Sequence, residues 1–347
     1  MRAAIFRKFQ NPIRVEDVPE PEVPEDAALI DVKACGICRS DWHAWMGHDT
    51  EVQLPHVPGH ELSGVVAAVG TRVQKFHVGD RITVPFCCGC GSCPECNRGN
   101  SHICDAYTQP GFTHWGAFSD RTIIRAADWN LVRLPSSIDF VSAASLGCRF
   151  ITAFRALVDQ AKLGRGEWLA VHGCGGVGLS AIMIAKALHA NVIAIDVQPS
   201  RLDYANQFDA DHVIDATCTP DVPKEIKRIT GRGAHASLDA LGSPQTCWNS
   251  IECLAKRGRH VQVGLMLAEH ASASIPMAGV IAKELEIYGS HGMQPTGYER
   301  IFEMIQCGLL LPDRLVSDTV NLERGADLLT RFASFPNSGM TIIDMTL

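Results

Sequence analysis

The run Gly173-Cys174-Gly175-Gly176-Val177-Gly178 constrains the fold through what flanks it. An apolar stretch, Trp168–His172, leads straight in, and Leu179–His189, with apolar residues at three- and four-residue spacing, leads out. Strand, glycine turn and helix in that order open a βαβ unit. Gly173 permits the tight turn, Gly175 leaves the backbone open to a pyrophosphate, and Gly178 lets helix and strand pack closely, while unpaired amides at the start of the helix near Leu179 suit an anion; Gly176 and Val177 are counted with the cofactor-binding positions. The alternation continues through Val192–Asp196, His212–Ile214, Ser237–Leu241, His260–Val263 and Leu285–Tyr288 as strands, with helices expected at Arg201–Phe208, Pro223–Thr230 and Gln245–Lys256. Six such strands predict an α/β fold with a doubly wound parallel sheet.

Asp196 ends the strand after the glycine turn, where an acid accepts hydrogen bonds from an adenosine ribose. That favours NAD over NADP, because two like charges 4 Å apart cost about 4 kcal/mol at an effective dielectric of 20. Arg201 softens the penalty, so use of both cofactors stays open. Gly264, after His260–Val263, is counted with the cofactor-binding positions.

The first part of the chain reads differently. Up to about Leu146 it is rich in Pro, Gly and short β-branched runs, with strands expected at Ala28–Val32, Leu62–Val69, Arg81–Phe86 and Ser119–Ile124. The tail from about His291 returns to mixed structure. The expected division is a β-rich domain from 1–148 and 290–347, carrying a small lobe at about 87–105, and a dinucleotide-binding domain at 149–289.

Within the lobe, Cys90, Cys93, Cys96 and Cys104 stand at C-x2-C-x2-C-x7-C spacing, which suits one tetrahedral zinc in a closed, structural site. Disulfides are the alternative for a chain with 14 cysteines, but Met1–Pro12 carries no secretory signal, so a reducing, cytoplasmic setting is expected. A net charge of −7 provides no broad basic surface for nucleic acid, and no apolar run is expected to approach a membrane span.

A second ligand set is scattered: Gly36-Ile37-Cys38-Arg39-Ser40-Asp41-Trp42-His43, then Gly59-His60-Glu61. Thiol, imidazole and carboxylate from separate segments fit a catalytic zinc, which commonly takes three protein ligands and leaves a position open.

With the lobe and the glycine turn, these motifs make the chain resemble the zinc-dependent alcohol dehydrogenases of the medium-chain dehydrogenase/reductase family along essentially its whole length. The resemblance implies a GroES-like catalytic domain joined to a Rossmann domain, with NAD and two zinc ions per chain. It implies catalytic zinc on Cys38, His60 and Cys148, with Glu61 as the adjacent acid able to approach the metal and Asp41 as the partner that orients His60. Ser40 becomes the first proton acceptor and His43 the end of the relay toward solvent. Arg39 would pair with the pyrophosphate, and Thr152 and Val177 would pack near the nicotinamide.

The implied reaction is reversible hydride transfer between an alcohol and NAD, giving aldehyde or ketone, in a cytoplasmic homo-oligomer, a tetramer before a dimer. A polyol or amino-alcohol dehydrogenase and a non-catalytic NAD(H)-binding zinc protein are the competing readings. Similar polyol enzymes carry an acid where this chain has Cys148, and Gly-Thr or Gly-Ser where it has Arg39-Ser40. Ser338-Gly339-Met340 departs from the family, which often has a pyrophosphate-binding arginine there. Trp42, Trp45, His48, Phe86 and Trp115 are candidates for pocket wall or core.

Overall fold

A computed structural model describes residues 1–267, 270–332 and 338–347. The chain forms two compact units, Met1–Ile151 with Gly292–Leu347, and Thr152–His291.

In the first unit a seven-stranded sheet runs in the order Val316–Val320, Met340–Asp344, Ala28–Gly36, Glu61–Val69, Arg81–Thr83, Val132–Arg133, with Arg121–Ile124 also paired to Ala28–Gly36. Ala28–Gly36 is buried at nearly every position, so it reads as an apolar run and takes the sheet's centre. Ile30, Val32, Leu62, Val66, Ile82, Phe118, Ile124 and Ile343 form the core around it, each contributing about 1.5–3 kcal/mol by leaving water. The strand runs four residues beyond its expected end, and its antiparallel register sets Gly36 opposite Glu61. Cys38, just past one strand, therefore lies beside His60, just before the other.

The second unit holds a six-stranded parallel sheet in the order His212–Asp215, Asn191–Asp196, Trp168–His172, Ala234–Asp239, Leu254–Gln262, Glu286–Gly289. The order reverses beside Trp168–His172, whose end carries the glycine turn, and a switch point of this kind is where open α/β sheets bind ligands. The expected doubly wound sheet is present.

Two expectations need correction. The helix expected at Gln245–Lys256 occupies Pro244–Glu252, and the chain is already strand at Leu254. Leu254 pairs with Ala234 and Arg259 with Ala236, so three extra residues bulge out of the ladder, with Arg257 at φ 60°. Local apolar spacing registers Leu254 and Ala255 as a helix face, whereas the neighbouring strand claims them.

The second correction concerns the helical stretch Phe140–Gln160, which is long and apolar enough by length and composition to cross a membrane, contrary to expectation, and is 78% buried within the protein. It is a core helix by that burial, broken at Gly147 (ψ −114°).

Candidate metal centre and nucleotide turn

Asp41 organises the metal centre. Fully buried in the first turn of helix Arg39–Met46, it accepts the Cys38 amide on Oδ2 (3.0 Å) and the Gly59 amide on Oδ1 (3.0 Å). His60 Nδ1 donates to the same Oδ1 at 2.8 Å. One carboxylate thus joins the helix start to the 59–60 segment and fixes the imidazole's tautomer. His60 Nε2 is left buried with no hydrogen-bond partner. Phe86 and Phe112 hold the ring edge-on, with centroids 6.0 and 5.3 Å away; Phe112 was not singled out from the sequence.

Cys148 reaches the same point because the helix backbone crosses very close to Glu61. A Cβ on Gly147 would stand 2.6 Å from Glu61 Cβ, so only glycine fits. The ligand atoms of Cys38, His60, Glu61 and Cys148 all lie within 4.8 Å of one another. The hydrogen bond with Cys148 holds the Cys38 thiol well below its ordinary pKa despite burial, and raises that of Cys148. Two cysteine sulfurs sharing a proton beside a buried, unpartnered imidazole nitrogen are the donor set a soft-to-borderline divalent metal takes.

Glu61 is differently placed. Its Oε1 accepts Arg149 Nε (2.9 Å) and the Arg149 amide (3.1 Å), and its Oε2 accepts Arg149 Nη2. Both residues are buried, in a cradle where a Cβ on Gly36 would strike Glu61 Oε2. Burial pushes the Glu61 carboxyl above its usual range, with Arg149 opposing. Arg149 was missed in the sequence; the signal was a charged residue inside the apolar run Leu146–Phe150.

In the lobe, the four sulfurs of Cys90, Cys93, Cys96 and Cys104 lie within 4.8 Å of one another, and Cys93 and Cys104 are 3.6 Å apart. The amides of Cys93, Cys96 and Ala106 point at Cys90, Cys93 and Cys104 Sγ at 3.3, 3.4 and 3.3 Å, an arrangement that favours anionic sulfur. Hydrogen bonds from Ser92 lower Cys90 to about 6. Among the described residues no disulfide joins any pair of cysteines.

The proton-transfer candidates share helix Arg39–Met46: Ser40 is half-buried in its first turn and His43 one turn on, and the two are not hydrogen-bonded to each other among the described residues. Arg39 is exposed. Trp45 is core, donating Nε1–H to Asn11 O, whereas Trp42 packs on His43 and His48. Trp115 is half-exposed and donates to Pro55 O. Met340 is fully buried in its strand, so the position offers packing and no charge.

At the glycine turn, Gly173 has φ 99°, and a Cβ on Gly178 would stand 1.8 Å from Gly173 O, so the helix sits directly on the turn. Gly175 precedes helix Gly176–Ala187 with no side-chain cap and nothing within 4 Å of a Cβ there, leaving open space before uncapped amides. Asp196 accepts the Cys174 amide on Oδ2 (2.8 Å) and the Val197 and Gln198 amides on Oδ1 (2.8 and 3.0 Å). It therefore braces the turn and keeps a lone pair on Oδ2. Arg201 Nη1 lies 3.8 Å from that oxygen, beyond hydrogen-bond range. Val177 is half-buried and Thr152 buried. Gly264 presses on Leu241–Gly242, where a Cβ would meet Gly242 N at 2.1 Å. Asp239, not identified from sequence, fixes that corner by accepting the Leu241 and Gly242 amides.

Residues 24–136 match the alcohol dehydrogenase GroES-like domain and residues 176–307 the zinc-binding dehydrogenase family. An NAD-dependent alcohol dehydrogenase of Sulfurisphaera tokodaii is 32% identical over 357 residues, spanning 99% of each chain. The chain belongs to the zinc-binding alcohol dehydrogenases. A sorbitol dehydrogenase of this family, from Bacillus subtilis, is 31% identical across 99% of this chain and 96% of its own. The solved structure of an alcohol dehydrogenase from Thermus sp. ATN1 superposes with a TM-score of 0.89 at 30% identity, covering 99% of both chains. The zinc that the family name implies fits these residues, because His60 Nε2 is buried, unpartnered and aimed among two thiols.

Proposed function

We propose that the protein reversibly transfers a hydride between a primary or secondary alcohol and NAD, yielding an aldehyde or ketone. The observation that carries this reading is His60 Nε2, buried without a hydrogen-bond partner and set among Cys38 and Cys148 by Asp41. Cys38, His60 and Cys148 would hold the catalytic zinc, and Cys90, Cys93, Cys96 and Cys104 the structural one. Bound at the first set, zinc supplies Lewis acidity, which acidifies a hydroxyl or polarises a carbonyl.

The chain's own groups do the rest. Ser40 Oγ takes the hydroxyl proton as it gives up its own toward His43, which passes one outward. Arg39 and the amides after Gly175 bind the pyrophosphate, Asp196 accepts from the ribose through its remaining Oδ2 lone pair, and Arg201 borders that ribose. Gly264 shapes the same cofactor edge, and Thr152 with Val177 packs the nicotinamide face. Domain boundaries at 1–148 with 290–347 and at 149–289 assign metal chemistry to the first domain and NAD to the second. A cytoplasmic homo-oligomer, a tetramer before a dimer, completes the reading; thiols that converge as metal-ligand sets support the reducing compartment.

A polyol substrate is favoured by the sorbitol dehydrogenase relative and opposed by Cys148 and Arg39-Ser40. NADH or NADPH formation from ethanol, longer primary alcohols, 2-alkanols, sorbitol and threonine, with NAD or NADP respectively, tests both. Turnover confined to sorbitol would replace the leading reading. No turnover in either direction with two zinc ions bound per chain would return the protein to a non-catalytic NAD(H)-binding role.

A further inference from the structure

Helix Arg39–Met46 ends one residue after the turn that carries His43. Gly47 takes the left-handed conformation there (φ 82°, ψ 21°), and a Cβ on it would come 3.0 Å from the Phe9 ring. Its amide bonds Ala44 O (3.1 Å), and the His48 amide bonds His43 O (3.0 Å). The helix cap itself therefore folds His48 back over His43. The side chains meet with His43 Nδ1 and His48 Nδ1 2.9 Å apart, and the Trp42 indole braces both rings edge-on at centroid distances of 4.9 and 5.8 Å. His43 is half-buried and His48 exposed.

Two ring nitrogens at that distance share one hydrogen, since two N–H groups or two lone pairs repel. If His43 is to receive a proton on Nε2 it must be neutral and carry its hydrogen on Nδ1, which makes His48 Nδ1 the acceptor. Burial pushes His43 down to about 4, with the charges of Arg39 and His48 adding to this and Cys38 opposing, so the ring is neutral at ordinary pH and does not store a proton. It has to pass one on.

We propose that His48 is the solvent end of the proton relay, holding His43 in the receiving tautomer and taking its Nδ1 proton as another arrives on Nε2. The balance is simple: N–H forms at His43 Nε2, the His43 Nδ1–H bond breaks as His48 Nδ1–H forms, and His48 releases its Nε2 proton to water. His48 touches neither substrate nor cofactor in this scheme, and is a positioning and relay residue. The proposal rests on the reading of His43 as the exit from the site.

The test is the pH profile of alcohol oxidation in zinc-loaded His48→Ala, His48→Asn and His43→Asn. The His48→Asn side chain keeps an acceptor for His43 Nδ1 but cannot shuttle. Both His48 variants are expected to lose tenfold or more in kcat near neutral pH, to recover at alkaline pH as hydroxide replaces the relay, and to be rescued by added imidazole, with the KM for NAD and zinc content unchanged. A loss in His43→Asn with unaltered pH profiles and no imidazole rescue in the His48 variants overturns the role of His48. An unaltered profile in His43→Asn overturns the underlying reading of His43. A loss in the His48 variants that is uniform across pH and resistant to imidazole makes the contact structural and also overturns the proposal.

Discussion

Arg149 occupies both carboxylate oxygens of Glu61, through its side chain and its own amide, in a pocket walled by Gly36 and Gly147. Glu61 ranks with the ligands by proximity, yet both of its carboxylate oxygens are engaged by Arg149. On the reading proposed above, the pair would hold the carboxylate back and leave Cys38, His60 and Cys148 as the ligands, with a position open.

Arg149→Gln should release Glu61 toward the metal. In cobalt-substituted protein the visible ligand-field bands should shift in Arg149→Gln and return in the Glu61→Gln, Arg149→Gln double variant. The single change also breaks a buried ion pair, worth about 3–5 kcal/mol when one partner is removed, which the double variant relieves in part. Identical spectra in parent and single variant would show that Arg149 does not govern the coordination.

The two cysteine sets should separate by what their loss does. Cys93→Ser or Cys96→Ser should reduce bound zinc from two ions per chain to one and lower the melting temperature, since structural zinc contributes folding energy directly. Cys38→Ser should abolish turnover with the fold intact by circular dichroism. Equal unfolding in both kinds of variant would contradict the division.

Arg39 is exposed, and Met340 packs in the core at a position that supplies no charge, so on the proposed reading Arg39 would carry an unusual share of the pyrophosphate contact. Arg39→Ala should raise the KM for NAD about tenfold or more, as loss of a charge-assisted contact of about 1.5–3 kcal/mol requires. A rise of less than about twofold rules the contact out.

His172 and His260 are buried neutral in the parallel sheet. Burial lowers them to about 3 and about 4, and His260 is fixed by Ser250 Oγ on Nδ1 (3.0 Å) and by Gln262 Oε1 on Nε2 (3.2 Å). Their folded pKa values lie below the unfolded value near 6.5, so below that pH the unfolded chain binds more protons. Their contribution is present above about 6.5 and is lost as pH falls toward 4 and 3. Urea midpoints measured across that range should fall steeply for the parent and less steeply for His172→Leu; parallel slopes would remove His172 from the acid sensitivity.

Much of this protein is written in short-range pattern. The glycine turn announces itself because tight turns and close helix packing tolerate no side chain. The lobe is equally plain, since four thiols within fifteen residues close on one point over a short loop. Local rules identify such features because they are satisfied locally.

What the sequence could not decide was which distant groups meet. The strand register that sets Gly36 against Glu61 brings Cys38 to His60, and the glycine crossing at Gly147 brings Cys148 and Arg149 to Glu61, 88 positions away for the ion pair. Leu254 left the expected helix because a neighbouring strand took it. His48 faced His43 only once the helix cap had turned the chain back. All but the last depend on the burial of partners far apart in the chain, and the energy of those contacts appears only when the core has closed; the sequence determines the residue types, but tertiary packing settles their charges and tautomers.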